Sequence, residues 1–182
     1  TRFPAAAHWR DSAAEVGRAM GRELKARGIN LAFAPVLDVH NESSNPVIGE
    51  RAFARTVEEV IRFAEPFRAG LEAEGVIGCG KHFPGHGRTT TDSHHELPLL
   101  QVTRAELEAT ELAPFRSSIE NGLKMIMTAH VHYPKIDPLQ PATLSRIILT
   151  EILRGELGFK GVVISDDLEM KALSHRPVEE NS

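Results

Sequence analysis

Four short apolar runs, separated by amphipathic stretches, constrain the fold of this chain more than any other feature. None of the runs alternates cleanly between apolar and polar residues, which is typical of parallel strands covered on both faces. Between the runs, apolar residues recur at helical spacing. Because strands alternate with helices, the sequence predicts an α/β fold with a parallel sheet. The predicted strands are residues 31–37, 76–80, 125–129 and 162–165.

Start and stop signals place the predicted helices between these strands. Capping residues begin four stretches, at Ser12, Thr56, Thr103 and Ser145, and the first three are followed three positions later by glutamate. Glycines suited to helix C-termini follow at Gly28, Gly75, Gly122 and Gly158. Pro66 and Pro114 lie inside two of the stretches, where a proline kinks or breaks a helix.

Each predicted strand is followed by ionisable residues. The carboxyl ends of parallel strands meet at one rim of a sheet or barrel, so we expect these groups to converge in one pocket. They are Asp38 and His40, Lys81 and His82, His130 and His132, and Asp166 and Asp167. Since adjacent residues of an extended segment point to opposite sides, only one of Asp166 and Asp167 is expected to face that pocket.

The long connection after the second strand is the segment richest in chemically useful residues. Its Asp92 and His94 are two positions apart, close enough for the carboxylate to hydrogen-bond the imidazole. Such a carboxylate fixes the tautomer of the ring and stabilises its cation. A histidine held in this way can act as a general acid and base near neutral pH. The alternative interpretation is that Asp92 caps a turn and His94 is a solvated loop residue.

One chemistry that fits these residues is glycoside hydrolysis. Asp166 would attack the anomeric carbon of a sugar and form a covalent glycosyl-enzyme. The His94–Asp92 pair would protonate the leaving group and later activate water.

A second chemistry is metal-dependent hydrolysis. His130 and His132 form an His-x-His pair at a strand end, a spacing used by metal ligands. The other candidate ligands are His82, His86 and Asp166. Lys81 beside His82 disfavours a nearby cation. A third possibility is a non-catalytic remnant that binds a sugar or nothing.

The composition excludes several classes of protein. A formal net charge of −4 provides no general electrostatic attraction to nucleic acid. No apolar run approaches the roughly 18 residues of a membrane span. The single cysteine cannot form an internal disulfide or a Cys-based zinc site. We therefore expect neither a nucleic-acid partner nor a membrane span, and the compartment stays open.

Several motifs together resemble the β-N-acetylhexosaminidases of glycoside hydrolase family 3. Residues 81–87, Lys-His-Phe-Pro-Gly-His-Gly, are followed by Asp92-Ser93-His94, which looks like the signature of that group. Residues 161–168 resemble the nucleophile strand of the family, and residues 33–39 and 48–53 match two further segments in the right order. The shorter Lys-His-Phe would also fit family 3 β-glucosidases, which lack the Asp-Ser-His loop.

The resemblance implies a role for individual residues. Asp166 would be the nucleophile, and His94 would be the acid/base, paired with Asp92. Sugar hydroxyls or ring substituents would be held by Arg51, Lys81 and His82. The implied substrate is a terminal β-linked N-acetylglucosamine, typically on peptidoglycan fragments, and no cofactor or metal is implied. Glu169 departs from the small residue that the family usually has at its position.

The resemblance also implies the fold and the extent of the domain. The expected fold is a partial TIM (β/α)8 barrel of about four βα units with parallel strands. A whole barrel has eight such units and typically about 250 residues. Residues 1–182 are therefore expected to be the central part of the N-terminal catalytic domain, truncated at both ends. An inactive barrel fragment is a further alternative.

Overall fold

Four parallel strands form the centre of the molecule. The computed structural model describes residues 7–173, with side chains from residue 10 onward. The strands are β1 Leu31–Ala32, β2 Ile77–Phe83, β3 Met125–Thr128 and β4 Val162–Ser165. They form one sheet in the order β1-β2-β3-β4, and every neighbouring pair is parallel. This is the α/β architecture that the apolar runs predict.

Two strands differ from their predicted bounds. Only two residues of the segment 31–37 belong to β1, because Pro35 lacks the N–H that a ladder needs. The chain still runs beside β2 after β1 ends, and the Leu37 N–H donates to the Lys81 carbonyl at 2.6 Å. β2 continues past its predicted end, so Lys81 and His82 lie within the strand instead of after it.

One helix precedes β1, and further helices connect each strand to the next. They are α1 Ala7–Ala26, α2 Val57–Ala73, α3 Arg104–Ala109, α4 Leu112–Glu120 and a π-helix Ile147–Glu156. Short 3₁₀ turns occupy Gly49–Arg51, Ala142–Leu144 and Lys171–Leu173. Across residues 7–173, no helix combines the length and the apolar character needed to cross a membrane.

Three of the four predicted capping residues begin helices. Thr56 accepts a hydrogen bond from the N–H three residues later and begins α2. Thr103 forms a complete capping box with Glu106 ahead of α3. Ser145 accepts a hydrogen bond at 3.1 Å from the N–H three residues later, ahead of the π-helix. The prediction for Ser12 is wrong, because α1 begins upstream of it and continues through it. A capping pattern is a local signal, and a helix already under way can override it.

The stretch after Thr103 contains two helices instead of one. α3 ends at Ala109 and α4 begins at Leu112. Pro114 lies in the first turn of α4, where its missing N–H costs nothing, but its ring clashes with a carbonyl four residues earlier. The residue that carries this carbonyl lies between α3 and α4, which explains why the helix is interrupted there. Pro66 lies inside α2 without interrupting it.

The main apolar core lies between β2, β3 and the helices that follow them. Phe83 of β2 and Phe115 of α4 are fully buried and meet edge to face, with ring centroids 5.1 Å apart. Tyr133 is buried in the same cluster, and its hydroxyl donates to the Gly85 carbonyl. The core therefore holds the first residues of the loop that follows β2.

Candidate active site

A cavity of about 670 Å³ opens where the strands end. Its lining comes from β2, β3 and β4 and from the segments that follow β1, β2 and β4. The lining residues are Phe33, Val47, Arg51, Lys81, His82, His86, Ser93, His94, Met127, Ser165, Asp166, Asp167 and Leu168. The cavity thus lies at the rim where α/β barrels carry their sites.

Most of the residues that the sequence singles out meet in this cavity. Arg51, Lys81, His82, His94 and Asp166 all line it. Asp92 does not line it, but its carboxylate contacts the His94 ring. Residues from four separate segments of the chain are therefore brought to one place.

Both aspartates after β4 line the cavity, which corrects the expectation that only one of them faces it. Side chains alternate only along extended backbone, and here the chain turns at once. Asp166 Oδ1 accepts from the Asp167 N–H at 2.9 Å, and Asp167 Oδ1 accepts from the Glu169 N–H at 2.9 Å. The Asp167 carboxylate thus caps a turn. The other oxygen of Asp166, Oδ2, lies 3.9 Å from His82 Nε2.

A buried aspartate holds the inner side of His82. Asp38 Oδ2 lies 2.7 Å from His82 Nδ1 and also accepts from the His82 N–H at 3.2 Å. Burial raises the pKa of the Asp38 carboxyl, but the charges and hydrogen bonds of His82 and His86 outweigh it, and the net pKa lies below its ordinary value. Asp38 fixes the His82 ring so that Nε2 faces Asp166.

The glycosidase interpretation of the sequence assigned no role to His86. In the structure, both its backbone and its ring contact residues of the site. Its N–H donates to Asp38 Oδ1 at 2.6 Å. Its ring lies between two hydroxyls, with Nδ1 2.7 Å from Thr89 Oγ1 and Nε2 3.0 Å from Ser93 Oγ. Burial lowers the pKa of His86, which favours the neutral ring. Its carbonyl accepts from Asn45 Nδ2 at 2.8 Å.

The pair proposed from sequence spacing lies at the mouth of the cavity. His94 Nδ1 is 2.7 Å from Asp92 Oδ1, and that same oxygen accepts from the His94 N–H at 2.8 Å. Burial raises the pKa of Asp92, but the hydrogen bonds from His94 outweigh this effect, and the net pKa lies below its ordinary value. Asp92 Oδ1 therefore accepts from the backbone and lies beside the ring of the same histidine.

Two basic side chains share the cavity with Asp166. The Arg51 guanidinium is held by a hydrogen bond from Nη1 to the Val47 carbonyl at 3.1 Å. Burial lowers the pKa of the Lys81 ammonium, Arg51 lowers it further and Asp166 opposes both, leaving the net pKa below its ordinary value. Both side chains can donate hydrogen bonds toward a ligand.

The loop after β2 approaches its surroundings too closely for side chains at its glycines. A Cβ on Gly87 would lie 2.0 Å from the Val39 carbonyl oxygen, and one on Gly85 would meet the Glu111 side chain at 2.5 Å. Arg88 pairs with Glu111 through two contacts: Nε donates to Oε1, and Nη2 donates to Oε2 at 2.9 Å. The two glycines therefore let the loop carry His86 into the interior.

Asp38 is buried and does not line the cavity, and three of the strand-end histidines do not reach it, so the predicted convergence of these groups is wrong. His40 lines a separate pocket. His130 Nε2 lies 2.9 Å from the Asp167 carbonyl oxygen, and His132 Nε2 lies 3.0 Å from that of Asp137. Their rings are oriented by local contacts that spacing along the chain does not reveal.

These contacts argue against the metal-ligand alternative, whose central pair was His130 and His132. The His130 and His132 rings contact different carbonyls and do not present a joint set of ligands. Within the part of the chain that the structure describes, no three His, Cys, Asp or Glu residues are grouped to hold a metal ion.

Comparison with known proteins identifies the family. The glycosyl hydrolase family 3 N terminal domain matches residues 2–181. A β-hexosaminidase of Neisseria meningitidis serogroup C is 49% identical over 160 residues, covering 88% of this chain and 44% of that protein. A β-hexosaminidase of Nitrosospira multiformis is 45% identical over 172 residues, covering 93% of this chain and 49% of that protein. The chain thus spans less than half the length of these two curated relatives.

Solved structures show the same similarity. A family 3 β-N-acetylglucosaminidase from Paenibacillus superposes with a TM-score of 0.89 at 48% identity, covering 91% of this chain and 32% of that one. NagZ from Neisseria gonorrhoeae, in complex with N-trifluoroacetyl-D-glucosamine, superposes with a TM-score of 0.82 at 48% identity, covering 87% of this chain and 46% of that one. The expected partial barrel is confirmed.

Proposed function

The chain belongs to glycosyl hydrolase family 3, and on that premise we propose that the full-length protein hydrolyses terminal β-linked N-acetylglucosamine with retention of configuration. The observation that carries this proposal is the meeting of Asp166, His94, His82, Lys81 and Arg51 in one cavity. The β-hexosaminidases with which the chain shares up to 49% identity support the substrate class. The assignment of residues 1–182 to the central part of a catalytic domain stays a prediction.

In the first step, Asp166 is the nucleophile. A carboxylate oxygen attacks the anomeric carbon while the bond from that carbon to the leaving oxygen breaks. His94 donates the proton that the leaving oxygen takes up, so the leaving group departs as a neutral alcohol. The Asp92 carboxylate, 2.7 Å from Nδ1, stabilises the imidazolium form of the ring, whose Nε2–H is the proton donated.

In the second step, water replaces the enzyme carboxylate. His94, now without its proton, removes a proton from the water as the water oxygen attacks the anomeric carbon. The bond to Asp166 breaks and releases the free carboxylate. Two displacements at the same carbon return the sugar to its β configuration.

The remaining residues hold the sugar. His82 Nε2 lies 3.9 Å from Asp166 Oδ2, so a group bound by His82 lies beside the nucleophile. Arg51 and Lys81 supply further donors to hydroxyls or to the N-acetyl group. Because Asp38 fixes the His82 ring, this side of the cavity is organised before a substrate binds.

Hydrolysis of p-nitrophenyl N-acetyl-β-D-glucosaminide by the full-length protein tests the proposal. Asp166→Ala is expected to lower kcat by about 10³-fold or more, because the first displacement loses its nucleophile. Asp11→Ala, an exposed aspartate on α1, serves as the matched control. Unchanged turnover in the Asp166 variant would overturn the assignment.

Two further measurements separate the alternatives. The matching p-nitrophenyl β-D-glucoside should be a much poorer substrate, and a preference for it would favour a β-glucosidase. Proton NMR of the first product formed should show the β-anomer, whereas the α-anomer would contradict a covalent glycosyl-enzyme.

A further inference from the structure

Ser93 is the one residue between Asp92 and His94, and it is far more buried than either of them. The His94 side chain is 60% exposed and that of Asp92 is 28% exposed. Ser93 is only 2% exposed. Its hydroxyl lies 3.0 Å from His86 Nε2, and its carbonyl accepts from the Ala172 N–H at 3.3 Å. The segment that carries His94 is therefore attached to the protein interior through Ser93.

His86, at the other end of that contact, is itself immobilised. Its N–H donates to Asp38 Oδ1 at 2.6 Å, and Asn45 Nδ2 donates to its carbonyl at 2.8 Å. Its Nδ1 lies 2.7 Å from Thr89 Oγ1. A residue held at its backbone and at both ring nitrogens provides a fixed point to which the loop is attached.

These contacts form a continuous path between the two sides of the cavity. Asp38 contacts His82 through Oδ2 and His86 through Oδ1. His86 in turn contacts Ser93, which is bonded in the chain to His94. The residue beside the nucleophile and the proton carrier thus depend on the same buried carboxylate.

We infer that His86 is a positioning residue for the acid/base: through the Ser93 hydroxyl, it holds the loop so that His94 can deliver its proton. This inference rests on the proposed glycosidase function. His86 itself transfers no proton to the substrate, since both of its ring nitrogens contact hydroxyls of the protein.

Two amide substitutions of His86 can test the contacts of the two ring nitrogens separately. The terminal amide of glutamine reaches about where Nε2 lies, and that of asparagine reaches about where Nδ1 lies. His86→Gln can therefore keep the contact to Ser93, whereas His86→Asn can keep only the contact to Thr89. The inference requires the first variant to retain activity better than the second.

The test compares two aryl N-acetyl-β-D-glucosaminides on the full-length protein. Phenol is a poor leaving group that needs a proton, whereas 2,4-dinitrophenolate leaves with little help from an acid. The readout is kcat/KM, which reports the steps up to release of the first product. A loss of positioned acid lowers this value for the phenyl substrate alone, and a partly unfolded enzyme lowers it for both.

Ser93→Ala is expected to lower kcat/KM for the phenyl substrate by about tenfold, the effect of one lost hydrogen bond. For the dinitrophenyl substrate we expect a change of less than about twofold, since that reaction needs little acid. Ser118→Ala is the matched control, because Ser118 is also fully buried and donates one side-chain hydrogen bond, to Glu65 in α2. It should leave the ratio of the two substrates unchanged.

The His86 variants complete a double-mutant cycle. We expect His86→Asn to match Ser93→Ala, His86→Gln to lose less than about threefold, and the His86→Asn/Ser93→Ala double variant to lose no more than either single variant. Equal losses for both substrates, or no loss in Ser93→Ala, would overturn the positioning role while leaving the proposed function intact. If the unsubstituted protein hydrolyses neither glycoside, both proposals fall.

Discussion

Two aspartate–histidine pairs meet at the same cavity, and they differ sharply in burial. In each pair a carboxylate oxygen lies 2.7 Å from Nδ1 of the ring. The side chains of His82 and Asp38 are 4% and 0% exposed, whereas those of His94 and Asp92 are 60% and 28% exposed. The two pairs therefore share their chemistry but not their surroundings.

The comparison shows that burial gives the two pairs different roles. Around Asp38, a missing hydrogen bond cannot be replaced by water, so the pair is fixed and organises the cavity. Around Asp92, water screens the charge and the chain is tethered mainly through Ser93. An exposed histidine can exchange protons with solvent and with a leaving group, which suits the proposed acid/base.

The largest difference is expected in stability. Asp38→Ala leaves the His82 ring and the His86 N–H without their buried acceptor, so we expect the free energy of unfolding to fall by about 3–5 kcal/mol. Asp92→Ala should cost less than about 1 kcal/mol, because water can take the place of the carboxylate. Urea unfolding of the two variants measures both values. Similar losses in the two variants would show that burial does not separate the pairs.

The next largest difference is expected in catalysis. Asp92→Asn keeps the shape of the side chain but cannot stabilise the imidazolium of His94, so we expect kcat/KM for the phenyl substrate to fall by about a hundredfold. Stability should stay within about 0.5 kcal/mol of the unsubstituted protein. Glu96→Gln, an exposed acid-to-amide change in the same loop, is the control. If kcat/KM of Asp92→Asn equals that of Glu96→Gln, the Asp92–His94 pair has no role in the mechanism.

The smallest difference is expected in the pH dependence of stability. The pKa of Asp38 is lowered in the folded protein, so its contribution is fully present above the unfolded pKa of about 3.9 and is lost as the pH falls through the folded value. The stability gap between the unsubstituted protein and Asp38→Asn should therefore narrow below pH ~4.

For Asp92→Asn the stability gap should narrow less on acidification, because the exposed pair is screened by water. Urea unfolding between pH ~3 and ~7 compares the two gaps. A gap that widens for Asp38→Asn on acidification would contradict the lowered pKa.

The two pairs also differ in how far the sequence could predict them. Asp92 and His94 are two positions apart, so a hydrogen bond between them was predictable from local geometry. Asp38 and His82 are separated by 44 positions and come from neighbouring parallel segments of the sheet. Each could be placed at the rim, but their contact depends on the register between the segments, which apolar patterning does not specify. The contact between His86 and Ser93 had no signal in the spacing, because it depends on the path of a loop.

The sequence by itself determined the four strands, the helices between them, three of the helix starts and the rim at which the polar residues gather. These follow from periodicity and capping, which act between residues close in the chain. Only the tertiary structure decided that Asp38 is buried against His82, that both Asp166 and Asp167 line the cavity, and that His40, His130 and His132 turn away from it. Burial and side-chain direction arise from packing between distant segments, and that packing exists only once the sheet is assembled.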